Sequence, residues 1–190
     1  MTRTHSPKTS WSEEKNLSLL PAVPPASPVP NVTHSGAVTL PPTVAGITRA
    51  ARLLRDGAVV AFPTETVYGL GANAYNENAV RRIFEAKGRP LTDPLIVHVP
   101  DTAAALSCVA LDASGSAVFD SLGKLFWPGG LTLVCPAAKA IPDLITAGTR
   151  WVGVRCPSHP LALKLLQLAG VPVAAPSANK FGHVSPTSSL

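Results

Sequence analysis

The sequence has no glycine-rich phosphate cradle of either common kind. Neither G-x-x-x-x-G-K-[ST] nor G-x-G-x-x-G occurs in its 190 residues, which excludes a P-loop and a dinucleotide fingerprint. Gly69-Leu70-Gly71 is too short to count. Cysteine is scarce: Cys108, Cys135 and Cys156 are widely spaced, with no C-x-x-C pair and no His/Cys cluster. That spacing excludes a zinc site and asks for no oxidising compartment, so the three are expected to be reduced. No apolar run approaches the ~20 residues of a membrane-spanning helix, and no membrane partner is expected. Residues 17–23 are apolar but short and broken by Pro21, so no secretory leader is read there. A cytoplasmic location is expected. Mitochondrial targeting is the alternative, suggested by Arg3, Lys8 and nearby serines and opposed by Glu13 and Glu14. H-E-x-x-H, G-x-S-x-G and any Ser-His-Asp order are also missing. Without a nucleophile–base pair, the expected chemistry is positioning and charge neutralisation rather than a covalent intermediate.

What is present is an apolar fraction of 46%, enough for a core, and a net charge of +5. That balance suits nucleotides or RNA, and equally an ordinary basic domain. Residues 1–42 are rich in Pro, Ser and Thr, and Pro21, Pro24, Pro25, Pro28 and Pro30 interrupt any helix or central strand. A disordered extension is expected there, with the folded domain at 43–190.

Periodicity then alternates. Val44, Ile47, Ala51 and Leu54 share a helical face that ends at Gly57, and residues 58–62 form a short apolar strand. Asn76 is placed to cap a helix reaching Lys87. Residues 95–99, 131–135, 151–156 and 171–175 read as strands, and 101–107, 114–126 and 158–169 as helices, with Pro160 near a helix start and Gly170 at its end. Alternating helices and strands imply an α/β fold with a largely parallel or mixed sheet. Ligands are expected in the loops at strand ends, here 63–68, 87–94 and 176–185.

Those loops carry the chemistry. Lys87-Gly88-Arg89-Pro90 offers a point charge and a bidentate fork to phosphate oxygens. Cations at a helix C-terminus are the structural alternative. Ser177 and Asn179, followed by Ser185, can bind phosphate, ribose or carboxylate, or form local turns. Glu65 can accept an ammonium, hold magnesium through water, or stay in solvent. His98 fits a hydrogen-bonded core residue as well as a ligand contact. Arg155, at a strand end, suits a substrate carboxylate or a structural ion pair.

Five runs, in this order, resemble the YrdC/Sua5 family of threonylcarbamoyl-AMP synthases. They are residues 62–71 (FPTETVYGLG), Lys87-Gly88-Arg89-Pro90 with 94–99 (PLIVHV), Trp127-Pro128-Gly129 with Leu131-Thr132, Val154-Arg155-Cys156-Pro157, and Pro176-Ser177-Ala178-Asn179. The resemblance covers about Ile47 to Thr187. It implies a twisted sheet around a basic concave site. It implies synthesis of L-threonylcarbamoyl-AMP from L-threonine, bicarbonate or CO2, and ATP with Mg²⁺, releasing pyrophosphate. A separate threonylcarbamoyl transferase would then modify tRNA. Carried over by motif, Lys87 and Arg89 are the catalytic cations. Arg89, Asp93, Trp151, Ser177, Asn179 and Ser185 fall at the nucleotide, and Thr66, His98, Arg155 and Ala175 at the threonine. No protein metal ligand is implied. Asp93 departs from the family's usual Asn and brings a negative charge near phosphates. Family members continue beyond the equivalent of Leu190, so the domain is expected to lack a C-terminal part and to be unstable or poorly active alone. Two rivals stay open: a module binding double-stranded RNA or tRNA without chemistry, and a related hydrogenase-maturation domain. The latter carries a zinc finger that three dispersed cysteines cannot supply.

Overall fold

The computed structural model describes residues 37–188; nearly all of the expected 1–42 extension lies outside them. The compact unit is Thr39–Leu190, a few residues longer than the expected domain, because Leu40 already packs against the core. Helix α1 (Val44–Arg55) starts at Thr43, whose hydroxyl accepts the Gly46 N–H. Helix α2 (Glu77–Lys87) starts at Asn76, whose side chain accepts the Ala79 N–H. Both are short polar caps relieving otherwise orphaned donors. Gly88 closes α2 at φ 59°, a left-handed turn that glycine adopts without a Cβ penalty. This turn sends Arg89 back toward the sheet.

Six strands follow the order β1-β2-β6-β3-β5-β4: β1 (Val60–Phe62), β2 (Gly69–Asn73), β3 (Ile96–His98), β4 (Leu133–Pro136), β5 (Trp151–Arg155) and β6 (Val173–Ala174). The sheet is mixed, but only β3 and β5 run parallel; the other pairings are antiparallel. The expectation of a largely parallel sheet is corrected on this point. Helix α6 (Pro160–Ala169) separates β5 from β6, which in a right-handed crossover would leave them parallel. Instead β6 starts opposite His98, at the end where β5 finishes, and α6 packs against α1 rather than carrying the chain back.

Alternation along the strands sorts two cores. Val97, Val152, Val154 and Ala174 face α2, the short helices α3 (Thr102–Leu106) and α5 (Asp143–Thr146), and Phe119 of α4 (Ala113–Phe126). Val173 and Phe62 face the opposite way, against α1 and α6. Those two helices cover only the β1-β2-β6 half of this second face. Over β3-β5-β4 no helix covers it: Ile96, Val134 and Trp151 are exposed, although His98 near the strand end is buried, and a Cβ on Gly153 would lie within 4.0 Å of Thr132, Ile96 and Val134 side chains.

Two elements are not legible from propensity. Strand β2 reads GLGAN, a poor strand by composition. Its small residues are required by packing, since a Cβ on Gly71 would sit 2.7 Å from both the Phe62 ring and Val173. Helix α5 is a single turn. Among the described residues no helix is long and apolar enough to cross a membrane.

Candidate functional site

The bare sheet face has two chemically different ends. At one end β3 and β5 begin and β6 finishes. At the other β3 and β5 finish.

The first end gathers the basic loop and the serine–asparagine loop. Lys87, only 4% exposed, closes α2 with its ammonium turned inward. Its Nζ donates to the Ser177 carbonyl at 2.5 Å and to the Asn179 carbonyl, while its own carbonyl accepts the Phe181 N–H at 2.8 Å. Burial, with the nearby Arg89 charge, holds the Lys87 ammonium below the usual lysine range. Lys87 is therefore a clamp on the loop's backbone. Arg89 lies alongside: Nη2 donates to the Pro94 carbonyl at 3.0 Å, pairs with Asp93 Oδ2 at 3.3 Å, and the guanidinium carbon stands 5.9 Å from the Phe181 ring centroid. Asp93 thus neutralises Arg89.

Asn179 organises the rest of this loop. Its Nδ2 donates to the carbonyls of Lys180 (2.7 Å) and His183 (2.8 Å), and its Oδ1 accepts from Ser185 Oγ at 3.2 Å. Tyr68 N–H donates to Pro186 O, and Ala178 N–H donates to Tyr68 O. The 63–68 loop is thereby tied to the 176–186 loop. Ala175, 5% exposed, carries this loop off β6 and donates its N–H to Ile96 O. Trp151 stands on the bare face, 54% exposed. It is four residues before Arg155, or ~13 Å along an extended strand, and stands on β5 apart from the loop cluster.

The second end is made by cross-strand neighbours. His98 and Arg155 are Cα partners in the parallel pair, and both point to the bare face. His98 is buried, with its ring edge-on to Phe62 at 6.2 Å between centroids. Burial, reinforced by the Arg155 charge, pushes its pKa from 6.5 down to about 4; Glu65 and the Ile96 and Val173 carbonyls oppose the shift without reversing it. His98 is neutral at pH 7. Its Nδ1 and the neighbouring Arg155 Nε are buried side-chain nitrogens without a hydrogen-bond partner. Two unsatisfied nitrogens on adjacent strands call for a ligand oxygen or water.

Arg155 Nη2 is held by Glu65 Oε1 at 2.5 Å. Burial works to raise the Glu65 pKa, but the Arg155 hydrogen bond and charge, with the Ser158 N–H, hold it below the usual carboxylate range. Since β6 and β3 lie between β2 and β5, the 63–68 loop must cross the sheet face to make this pair. Thr66 lies on that loop, with Oγ1 at 3.0 Å from Thr64 Oγ1, itself donating to Val67 O. Among the described residues no group of three His, Cys, Asp or Glu side chains is placed to hold a metal.

The sequence residues thus fall into two clusters on one face: Lys87, Arg89, Asp93, Ser177, Asn179 and Ser185, and then Thr66, His98 and Arg155. Ala175 lies between them and Trp151 flanks the first. Glu65, assigned to neither ligand set from sequence, joins the second cluster, where Phe62 stands edge-on to His98, while Phe181 stands against Arg89 in the first. The signal for Glu65 was its place in a polar loop at a strand end; nothing local identified Arg155, 90 residues on, as its partner.

A mixed α/β domain with a cationic loop at one end of a bare sheet face and a buried imidazole–guanidinium pair at the other defines a class of two-part ligand sites. The Sua5/yciO/yrdC family model, described as telomere recombination, matches residues 52–189, and this chain belongs to that family. A relative from Pyrococcus abyssi named threonylcarbamoyl-AMP synthase is 55% identical over 139 residues, which cover 73% of this chain and 40% of that protein. One of the same name from Bacillus subtilis is 52% identical, covering 74% of this chain and 40% of its own length. The crystal structure of P. abyssi Sua5 complexed with L-threonine superposes with a TM-score of 0.71 at 51% identity, over 76% of this chain and 42% of that one. The chain thus spans about two fifths of these relatives' length.

Proposed function

We propose that this chain carries the ATP- and L-threonine-binding site of an L-threonylcarbamoyladenylate synthase, a nucleotidyltransferase acting before tRNA modification. One observation carries the reading: the orphaned His98 Nδ1 and Arg155 Nε belong to side chains paired in register on the sheet face that also holds the Lys87–Arg89 loop. A carboxylate suits the Arg155 guanidinium beside the His98 imidazole, and a polyphosphate suits the cationic loop. The resemblance to a relative crystallised with L-threonine supports threonine as the carboxylate ligand.

In the reaction the threonine amine adds to CO2, drawn from bicarbonate, and loses a proton to give a carbamate. A carbamate oxygen attacks the α-phosphorus, the bond to the β-phosphate oxygen breaks, and pyrophosphate leaves. Mg²⁺ enters as part of the MgATP substrate, a mode magnesium favours. Arg89 exchanges Asp93 for phosphate oxygens and stabilises charge moving onto the leaving group. Lys87 acts as a positioning residue, fixing the 177–180 backbone against which the nucleotide lies. Trp151 offers an aromatic surface on the same face, and Ser177, Asn179 and Ser185 shape the nucleotide loop. Thr66 and Ala175 wall the amino-acid end. The product passes to a threonylcarbamoyl transferase that acts on tRNA.

The test is pyrophosphate release from MgATP by this chain, with threonine and bicarbonate added singly and together. Release that depends on both supports the reading. Salt-dependent binding of double-stranded RNA or tRNA with no pyrophosphate release replaces it with a binding module.

A further inference from the structure

One carboxylate ties three elements together at the amino-acid end. Glu65 Oε1 accepts from Arg155 Nη2 at 2.5 Å, and Oε2 accepts the Ser158 N–H at 3.1 Å. The 63–68 loop, the end of β5 and the approach to α6 therefore share a single side chain. Each carboxylate oxygen can accept more than one hydrogen bond, so both keep an acceptor direction free. The Glu65 side chain is 22% exposed and that of Arg155 12%, so Glu65 is the more accessible partner of the pair.

A site for a plain carboxylate needs a cation and donors. Here the cation already has an anion in contact, which weakens its pull on any monoanion. The cost is recovered only by a ligand that brings a positive group beside its carboxylate. His98 is buried next to this pair, with Nδ1 unsatisfied. The subsite therefore presents the Arg155 Nε–H to a carboxylate, with the His98 imidazole beside it, and the Glu65 carboxylate to a cation.

We propose that Glu65 is the specificity-determining residue of this subsite: it holds Arg155 for the ligand carboxylate and accepts the ligand ammonium, so the subsite selects a zwitterionic α-amino acid over the same molecule lacking its amine. The proposal deepens the threonine reading and rests on it. Glu65 also positions Arg155, and that part is measurable without any ligand.

The experiment compares L-threonine with 3-hydroxybutanoate, its deamino analogue, by calorimetry on the full chain, alongside the Arg155 Nε–H resonance by NMR. The unmodified chain is expected to prefer threonine by about 100-fold, and Glu65→Gln to narrow that preference to about tenfold or less. MgATP affinity should stay within about twofold, since Glu65 faces the other end of the sheet face. Glu65→Asp, which keeps the charge, should recover part of the preference. In Glu65→Ala the Arg155 Nε–H should lose its distinct, slowly exchanging signal. An unchanged preference in Glu65→Gln overturns the proposal, as does an equal loss of both amino-acid ligands and MgATP, the mark of a merely structural role. Should the unmodified chain bind neither threonine nor its analogue, the threonine reading and the zwitterion selectivity fall together. The Arg155 signal then still decides whether Glu65 holds the guanidinium.

Discussion

The two ends of the bare sheet face are built on opposite plans. At the His98–Arg155 end, both side chains project from paired strands, and the sheet register sets their separation before any ligand arrives. Two of their nitrogens are left without partners. At the Lys87–Arg89 end, the residues sit on loops and their hydrogen bonds are made among themselves: Lys87 to two carbonyls, Arg89 to Asp93 and Pro94, Asn179 to its own loop. One end is preorganised and unsatisfied. The other is satisfied and has to trade partners. Buried polar atoms without partners are costly, so the strand end stores a demand for a ligand, whereas the loop end bears the cost of rearrangement on binding.

Removing Arg155 should have the largest and most local effect. Arg155→Met leaves Glu65 without its cation and should weaken threonine binding about 100-fold, while MgATP binding changes little. Parallel titrations of the two ligands decide it, and equal losses would show that the ends are not independent.

Lys87→Met tests the other plan. It strips two half-buried carbonyls of their donor and should cost about 1–2 kcal/mol of stability, together with a large loss of nucleotide affinity. Urea unfolding and an ATP titration measure the two effects. Intact stability with lost nucleotide binding would instead make Lys87 a direct phosphate ligand.

The strand end should also be the more sensitive to acid. The folded His98 pKa, about 4, lies below the ordinary 6.5, so as pH falls the unfolded chain takes the proton first. The His98 contribution is complete above pH 6.5 and is lost on acidification toward pH 4, by up to about 3 kcal/mol. The depressed Glu65 adds loss in the same direction at lower pH. Urea midpoints at neutral and acidic pH should diverge in the unmodified chain and converge in His98→Gln.

Gly71→Ala tests the strand that brings the 63–68 loop across the face. A Cβ there meets Phe62 and Val173 at 2.7 Å, so about 1–3 kcal/mol of destabilisation is expected on thermal melting. The smallest effect belongs to Asp93→Asn. Freed from its ion pair, Arg89 should bind nucleotide a few-fold more tightly, as a surface pair contributes only about 0–1 kcal/mol. Weaker binding would assign Asp93 to the ligand itself.

The sequence by itself determined the helices with polar caps and left-handed glycine ends, because those signals are local: Thr43, Asn76, Gly88 and Gly170 act within one turn. It also determined the ordered runs that mark the family, and with them most of the residues on the site face. Tertiary structure alone decided strand direction, since alternation of helix and strand does not say at which end of the sheet the chain re-enters. It made a strand of GLGAN, where closeness to Phe62 and Val173 outweighs propensity. It brought the Lys87 ammonium onto the Ser177 and Asn179 carbonyls, a contact invisible in the chain because the partners lie 90 and 92 residues away. For the same reason only the fold could show that Asp93 shields Arg89 and that Glu65 reaches across two strands to Arg155.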